Sequence, residues 1–300
     1  MRLACLFWFY KSPDVCENRL RILRMHDPDV RVFGLYGGDL GASREFEQRL
    51  GPHLDDFYCF PEARPHDWKW RHGDRMIARW FSERGRALEW DTVFVMQWDM
   101  LVFDRIEHQF PNLQRGEVLI SGLRPVSEVL PWWSHIRPGS PSRLEYDRFL
   151  NLIQEKYDYD DEPLCGLFIV VCLPREFLVR YAEIPEPELG FLEYKLPIYA
   201  QIFGTPFCRN HRHRPWWDDH PQAKSQSLFA RALNAGKQNV PLRVIDAHRA
   251  WPWGRRIFHP VFDSYPIGLR ARLAPLSRDI YEHELKRRWW RLNQRLFEKR

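Results

Sequence analysis

A chain of 300 residues with 44% hydrophobic side chains is long enough to bury a sizeable core as one large α/β domain or two smaller ones, which excludes a disordered chain. No apolar run is long enough to cross a bilayer, and the N-terminal MRLACLFWFYK lacks a small-residue cleavage site. The net charge of +5 is concentrated at the end: Arg278 to Arg300 holds eight Lys or Arg against four Asp or Glu, so the body is nearly neutral.

In chain order, Leu3 to Tyr10 reads as a first strand. Lys11-Ser12-Pro13-Asp14 then supplies an N-cap serine, a proline at the first helical position and an early acid. The helix that follows runs to about His26, with Cys16, Leu20 and Leu23 on one face and Arg19, Arg21 and Arg24 largely pointing elsewhere. Val30 to Tyr36 is a second strand, closed by Gly37-Gly38-Asp39, and this β-α-β start implies parallel strands joined by a right-handed crossover. Ala42 to Leu50 is helical, Phe57 to Phe60 a short strand. In HDWKWRHGDRMIARWFSERG the stripe Met76, Ile77, Trp80 and Phe81 predicts a helix, with Arg71, Asp74 and Arg75 near its start.

The stretch Asp91 to Asp104 contains Val93 to Met96, an unbroken apolar run that suits a central strand buried on both faces. It stops at Gln97-Trp98-Asp99, and a carboxylate there sits at the mouth of an open α/β sheet, where ligands bind. Asp99 is therefore the first candidate, with a capping aspartate as its bland alternative. Tyr10 and Asp39, at the ends of the first two strands, and Arg71 and Asp74 share the expectation of facing that crevice; a surface ion pair is the plainer role of the last two. Further along come a strand at Val118 to Gly122, an irregular Pro131-Trp132-Trp133 loop, a helix over Arg143 to Lys156, and a second buried strand at Cys165 to Cys172. A helix from Pro174 to Tyr181, Glu193 just ahead of a short helix, and a strand at Leu242 to Ile245 complete the order before HRAWPWGRRIFHP. Six cysteines without CxxC or zinc-type spacing indicate free thiols and a reducing, cytoplasmic setting.

Together these features resemble a GT-A glycosyltransferase. Those carrying the resemblance are the buried strand ending in Gln97-Trp98-Asp99, the second buried strand sixty to seventy residues on, Glu193 before a helix, and the late His259-Pro260 after aromatic residues. It covers residues 3 to 263 by order of elements. It implies a single Rossmann-like domain over residues 1–275 with a mostly parallel sheet flanked by helices; beyond it, residues 276–300 read from their own charge and spacing as a basic amphipathic helix. It also implies transfer of a sugar from a nucleotide-sugar donor to a glycan, lipid-linked or other acceptor. Asp99 and His259 would hold Mn²⁺ or Mg²⁺ against the donor diphosphate, Gln97 and Trp98 would line the donor site, and Glu193 would act as base. Arg255 and Arg256 could add positive charge to the same phosphates. The chain departs from the family's Asp-x-Asp triplet at Gln97, which adds no charge and so weakens the expectation of a metal.

Two other readings remain. A non-catalytic member of the fold would bind nucleotide sugar or glycan, and a nucleic-acid-binding protein would use RNHRHRPWW between Arg209 and Trp217, although no RNA or DNA motif accompanies it. Cys208, His211, His213 and His220 fit no standard zinc spacing. Tyr281, Leu285, Trp289, Leu292 and Leu296 line one side of a helix flanked by arginines, which suits peripheral contact with an anionic membrane or packing on the domain.

Overall fold

The computed structural model describes residues 1–217, 228–235 and 238–267. The basic helix expected over residues 276–300, and His220, lie outside the described residues.

Six strands form one sheet in the order β3-β2-β1-β4-β7-β6. Strands β1 (Leu3–Phe9), β2 (Val32–Tyr36), β3 (Asp56–Cys59) and β4 (Thr92–Gln97) run parallel, as the β-α-β start implies. Strand β7 (Leu164–Pro174) pairs antiparallel with β4 on one side and with β6 (Leu119–Pro125) on the other. The protein is therefore mixed α/β with a mostly parallel central sheet flanked by helices. All of β2 and β7 and all but the last residue of β4 are buried, which is why these segments read as unbroken apolar runs. Each fully buried Val, Leu, Ile or Phe there contributes about 1.5–3 kcal/mol.

The direction of chain progress across the sheet reverses at β1. From β1 the chain moves out through α1 (Pro13–His26), β2, α2 (Ser43–Leu50) and β3, then returns by α3 (His66–Arg71) and α4 (Gly73–Trp80) to lay β4 on the other flank of β1. Crossovers that leave in opposite directions open a crevice at the carboxyl ends of the two strands, here β1 and β4. After β4 the chain makes β5 (Leu101–Val102) and two short helical turns, α5 (Ile106–Gln109) and α6 (Val126–Val129). Helices α7 (Arg143–Tyr157), α8 (Arg175–Tyr181), α9 (Leu192–Ile202) and α10 (Leu242–Ala250) precede β8 (Ile257–Phe258), which pairs antiparallel with β5. A second small core of Ile22, Leu101, Phe103, Val244, Ile245, Phe258, Val261 and Tyr265 seats this late segment beneath α1.

Several local expectations are corrected. Leu242 to Ile245 is the start of α10, not a strand: Pro241 is extended at the N-cap, Val244, Ile245 and Ala247 bury one helical face, and Leu242 is exposed. A four-residue apolar run carries no period that separates the two outcomes. The stretch from His66 breaks at His72 into α3 and α4. Ser12 precedes α1 in a left-handed conformation (φ 57°) and makes no side-chain cap, so the tip of β1 is closed by a strained turn instead. Glu193 stands in the first turn of α9. Arg19 does not point to solvent but is fully buried. All six cysteines are free, and among the described residues no helix is long and apolar enough to cross a membrane.

Candidate functional site at the β1–β4 switch

Asp99 is the second residue after β4, in the tight turn closed by a 2.9 Å hydrogen bond from Met100 N to Gln97 O. The turn sends the chain straight into β5, whose ladder with β8 sets Leu101 opposite Phe258; continued by one residue, that register brings His259 opposite Met100 and so beside Asp99. Val261 N donates to Asp99 O at 2.7 Å and locks the two segments together. The result is a pair distant in sequence: His259 Nε2 lies 3.5 Å from Asp99 Oδ1, with side chains 11% and 13% exposed.

The geometry of that pair is informative. Its separation is that of an ion pair, yet Asp99 Oδ1 is buried with no hydrogen-bond partner. His259 Nδ1 lies 3.1 Å from Asn234 O, and because a carbonyl only accepts, Nδ1 carries the proton. In the neutral ring Nε2 then bears a lone pair, directed at an oxygen that bears others. A buried carboxylate and a bare imidazole nitrogen facing each other suit a cation between them, or a second ring proton. Oxygen with one imidazole is a donor set that Mn²⁺ or Mg²⁺ accepts, so the two expected ligands fit a divalent ion with the remaining positions left to water and substrate oxygens. Among the described residues no group of three or more His, Cys, Asp or Glu could hold a metal. Of the cysteine–histidine set, Cys208, His211 and His213 form no such group, and His213 Nε2 is bonded to Gln109 O at 2.8 Å.

Aromatic rings frame the pair. Trp98 stacks on Phe262 (centroids 6.0 Å, 24°) and meets Tyr10 edge-on at 5.9 Å, while Lys11 Nζ stands 4.6 Å from the Trp98 ring and 5.4 Å from that of Tyr10. Burial pushes the Tyr10 hydroxyl up to about 12, so at neutral pH it is an uncharged donor. Beneath lies Arg19, which donates from Nη2 to Val261 O (2.7 Å) and Asp263 O (2.8 Å) and from Nη1 to Asn18 Oδ1 (2.7 Å). Burial pulls its guanidinium down to about 10 and the nearby Asp99 carboxylate works the other way, so it keeps its charge at neutral pH.

Gln97 and Glu193 meet on the backbone of one residue, Phe168. Gln97 Nε2 donates to Phe168 O (2.6 Å) and Glu193 Oε1 accepts from Phe168 N (2.8 Å), beside the irregular part of the β6–β7 ladder. The Gln97 amide thus ties β4 to β7. On the Glu193 side an aromatic wall rises from Phe191, His135 and Trp70: His135 and Phe191 centroids are 4.4 Å apart, Trp70 and Phe191 5.0 Å, and Trp70 is 46% exposed.

The other expected residues are engaged elsewhere. Asp39 is exposed at the end of β2, where Oδ1 accepts from Gly41 N at 3.0 Å. Arg71 pairs with Glu145 of α7, and Arg75 with Glu62 and Glu188, so these guanidiniums join helices and loops rather than face Asp99. Asp74, 1% exposed, turns inward to Lys195 Nζ (2.6 Å) and the Tyr181 hydroxyl (2.6 Å). It forms part of the wall of a separate cavity of about 390 Å³ shared with Arg75, Arg79, Glu83 and Tyr181, away from the strand ends. Arg256 donates to His248 O and Trp251 O, and Arg255 to Arg212 O, which places both against the 251–254 turn. The sequence reading missed Lys11, Arg19, Asn234, Phe168 and Phe262. Only Lys11, directly after a strand end, carries a signal that could have pointed to it.

No family model and no curated protein matches the chain. Among solved structures, apo mouse xyloside xylosyltransferase 1 aligns with 80% of this chain and 99% of its own, at 13% identity and a TM-score of 0.41. At that level the likeness assigns neither activity nor substrate.

Proposed function

We propose that the protein is a nucleotide-sugar-dependent glycosyltransferase of GT-A type, with its donor site in the crevice between the ends of β1 and β4. The observation that carries this reading is the buried Asp99–His259 pair, whose facing lone pairs stand at the switch point of the sheet. Mn²⁺ or Mg²⁺ held by Asp99 and His259 would supply positive charge to a departing diphosphate. Asn234 keeps the His259 proton on Nδ1 and so keeps Nε2 a ligand; Arg19 fixes the 261–263 segment and adds a buried positive charge below Asp99. Lys11, over the Trp98 and Tyr10 rings, is placed to meet donor phosphate, and the paired Trp98 and Phe262 rings to exclude water.

On the acceptor side, Glu193 is oriented by the Phe168 N–H as a base for the attacking hydroxyl, and exposed Trp70 offers a face for a sugar ring. One carboxylate in place of two, with Gln97 committed to Phe168, makes the metal bind more weakly than at a two-acid site. A glycan or lipid-linked acceptor suits this side. The test is a thermal-shift screen of nucleoside diphosphates with and without Mn²⁺, since a ligand bound by the native state alone raises the melting temperature. A metal-dependent rise with at least one nucleotide, and release of that nucleotide from its sugar conjugate, are expected; no response to any nucleotide overturns the reading.

A further inference from the structure

Between α10 and β8, residues 251–254 form a turn whose two indoles stand in water: Trp251 is 57% exposed and Trp253 79%. The turn is built to hold them there. Trp251 N donates to His248 O (3.3 Å) and Gly254 N to Trp251 O (2.9 Å). Guanidiniums cap the turn's carbonyls: Arg256 donates to His248 O at 2.7 Å and Trp251 O at 3.1 Å, and Arg212 to Gly254 O at 2.8 Å. A Cβ on residue 254 would meet His248 O at 1.8 Å, so only glycine closes the turn onto the end of α10. The indoles are thus displayed on a backbone fixed by five hydrogen bonds.

The charge around the turn is predominantly positive. The charged neighbour acting on Arg255 is another guanidinium, Arg212, and Arg256 feels Arg212 and Arg249 as well as the single acid Asp104. Among the described residues no acid acts on Arg255, and Asp104 is the one acid that acts on Arg256. Guanidiniums that outnumber the acids beneath two solvent-facing indoles complement a surface that is anionic and apolar just below its charge.

We propose that the 251–254 turn is a peripheral docking surface for an anionic lipid bilayer, with Trp251 and Trp253 entering the headgroup layer and Arg212, Arg255 and Arg256 meeting lipid phosphates. Indoles settle at the headgroup level because the ring is apolar and its N–H still finds a partner. The alternative polyanion, single-stranded nucleic acid, stacks successive bases on ring faces along a groove. Trp251 and Trp253 instead meet edge to face (5.9 Å, 62°) at a protruding turn. The inference uses no residue of the Asp99 site and stands apart from the proposed activity.

The test is co-sedimentation of the full chain with phosphatidylcholine vesicles, with and without phosphatidylserine. Binding to the anionic vesicles alone, weakened as salt rises from about 0.1 to 1 M, is expected. The double variant Trp251→Ala/Trp253→Ala changes only exposed side chains and should bind at least about tenfold more weakly, with an unchanged circular dichroism spectrum. As an independent readout, brominated lipid should quench the wild-type fluorescence and quench Trp251→Phe/Trp253→Phe measurably less. Equal binding to neutral vesicles, full binding by the double variant, or no vesicle binding by the wild type overturns the proposal. Retention of a single-stranded oligonucleotide that depends on the two indoles, without vesicle binding, overturns it in favour of nucleic acid.

Discussion

Asn234 fixes the tautomer of His259, and that small contact sets what Asp99 can do. With Nε2 bare, the 3.5 Å approach of Asp99 Oδ1 gains nothing from hydrogen bonding until a cation or proton arrives. Asp99→Asn has a two-sided expected outcome. The new amide can donate to Nε2 while buried Arg19 loses the Asp99 charge that supports it, so the ligand-free protein should stay within about 1 kcal/mol of the wild type, while any Mn²⁺-dependent nucleotide shift disappears. A drop of several degrees without ligand would mean that Asp99 is a structural acid. A different buried acid behaves oppositely. Asp74 rests on Lys195, both essentially inaccessible, so Lys195→Met leaves a buried carboxylate with only the Tyr181 hydroxyl and should cost about 3–5 kcal/mol in urea denaturation. Adding Asp74→Asn should recover part of that loss; a double variant as unstable as the sum would show that the two charges do not compensate each other.

At the level of elements, α1 ties the site's late segment to the sheet. Asn18 makes a reciprocal pair with the backbone of Tyr265, donating to its carbonyl (2.8 Å) and accepting from its N–H (2.9 Å), and Arg19 holds Val261 O and Asp263 O. Lysine cannot span both carbonyls and Asn18 with one ammonium. Arg19→Lys should therefore lower stability by about 2 kcal/mol and weaken metal-dependent nucleotide binding, while Arg21→Lys on the exposed face changes neither; an unaltered Arg19→Lys would remove α1 from the account of the site. This element also marks where sequence legibility ended. Strands β1, β2, β4 and β7 were legible because burial on both faces leaves a local trace, an unbroken apolar run, and Asp99 because it ends such a run. Arg19 and Lys195 were not, since periodicity assigns every charge to the solvent side and only tertiary partners show otherwise. Nor was α10 legible, because four residues carry too little period. Asp99 and His259 could be named separately from the resemblance, but their tautomer and their missing hydrogen bond exist only in three dimensions.

For the molecule as a whole, two buried histidines in different places couple folding to pH. Burial pushes His72, between α3 and α4, down to about 4; Asp74 opposes this, and Lys195 and Arg71 reinforce it. Burial likewise pushes His213, packed on Phe110 at 5.0 Å, down to about 3; its bond to Gln109 O opposes this, and His211, Arg212 and Arg255 reinforce it. In the unfolded chain both rings titrate near about 6.5. Below that pH the unfolded state binds protons that the folded state refuses, so the slope of unfolding free energy against pH is positive and stability is lost as pH falls from about 6.5 toward 4. With both rings contributing, the slope should reach about 2–3 kcal/mol per pH unit near pH 5.5, each proton accounting for about 1.4. His213→Gln keeps a donor for the Gln109 carbonyl and has no proton to take up. Urea denaturation at a series of pH values should show its slope reduced by about half, with wild-type and variant curves converging as pH falls. A wild-type curve flat across that window would mean that the folded protein accepts these protons, and that water reaches both rings in solution.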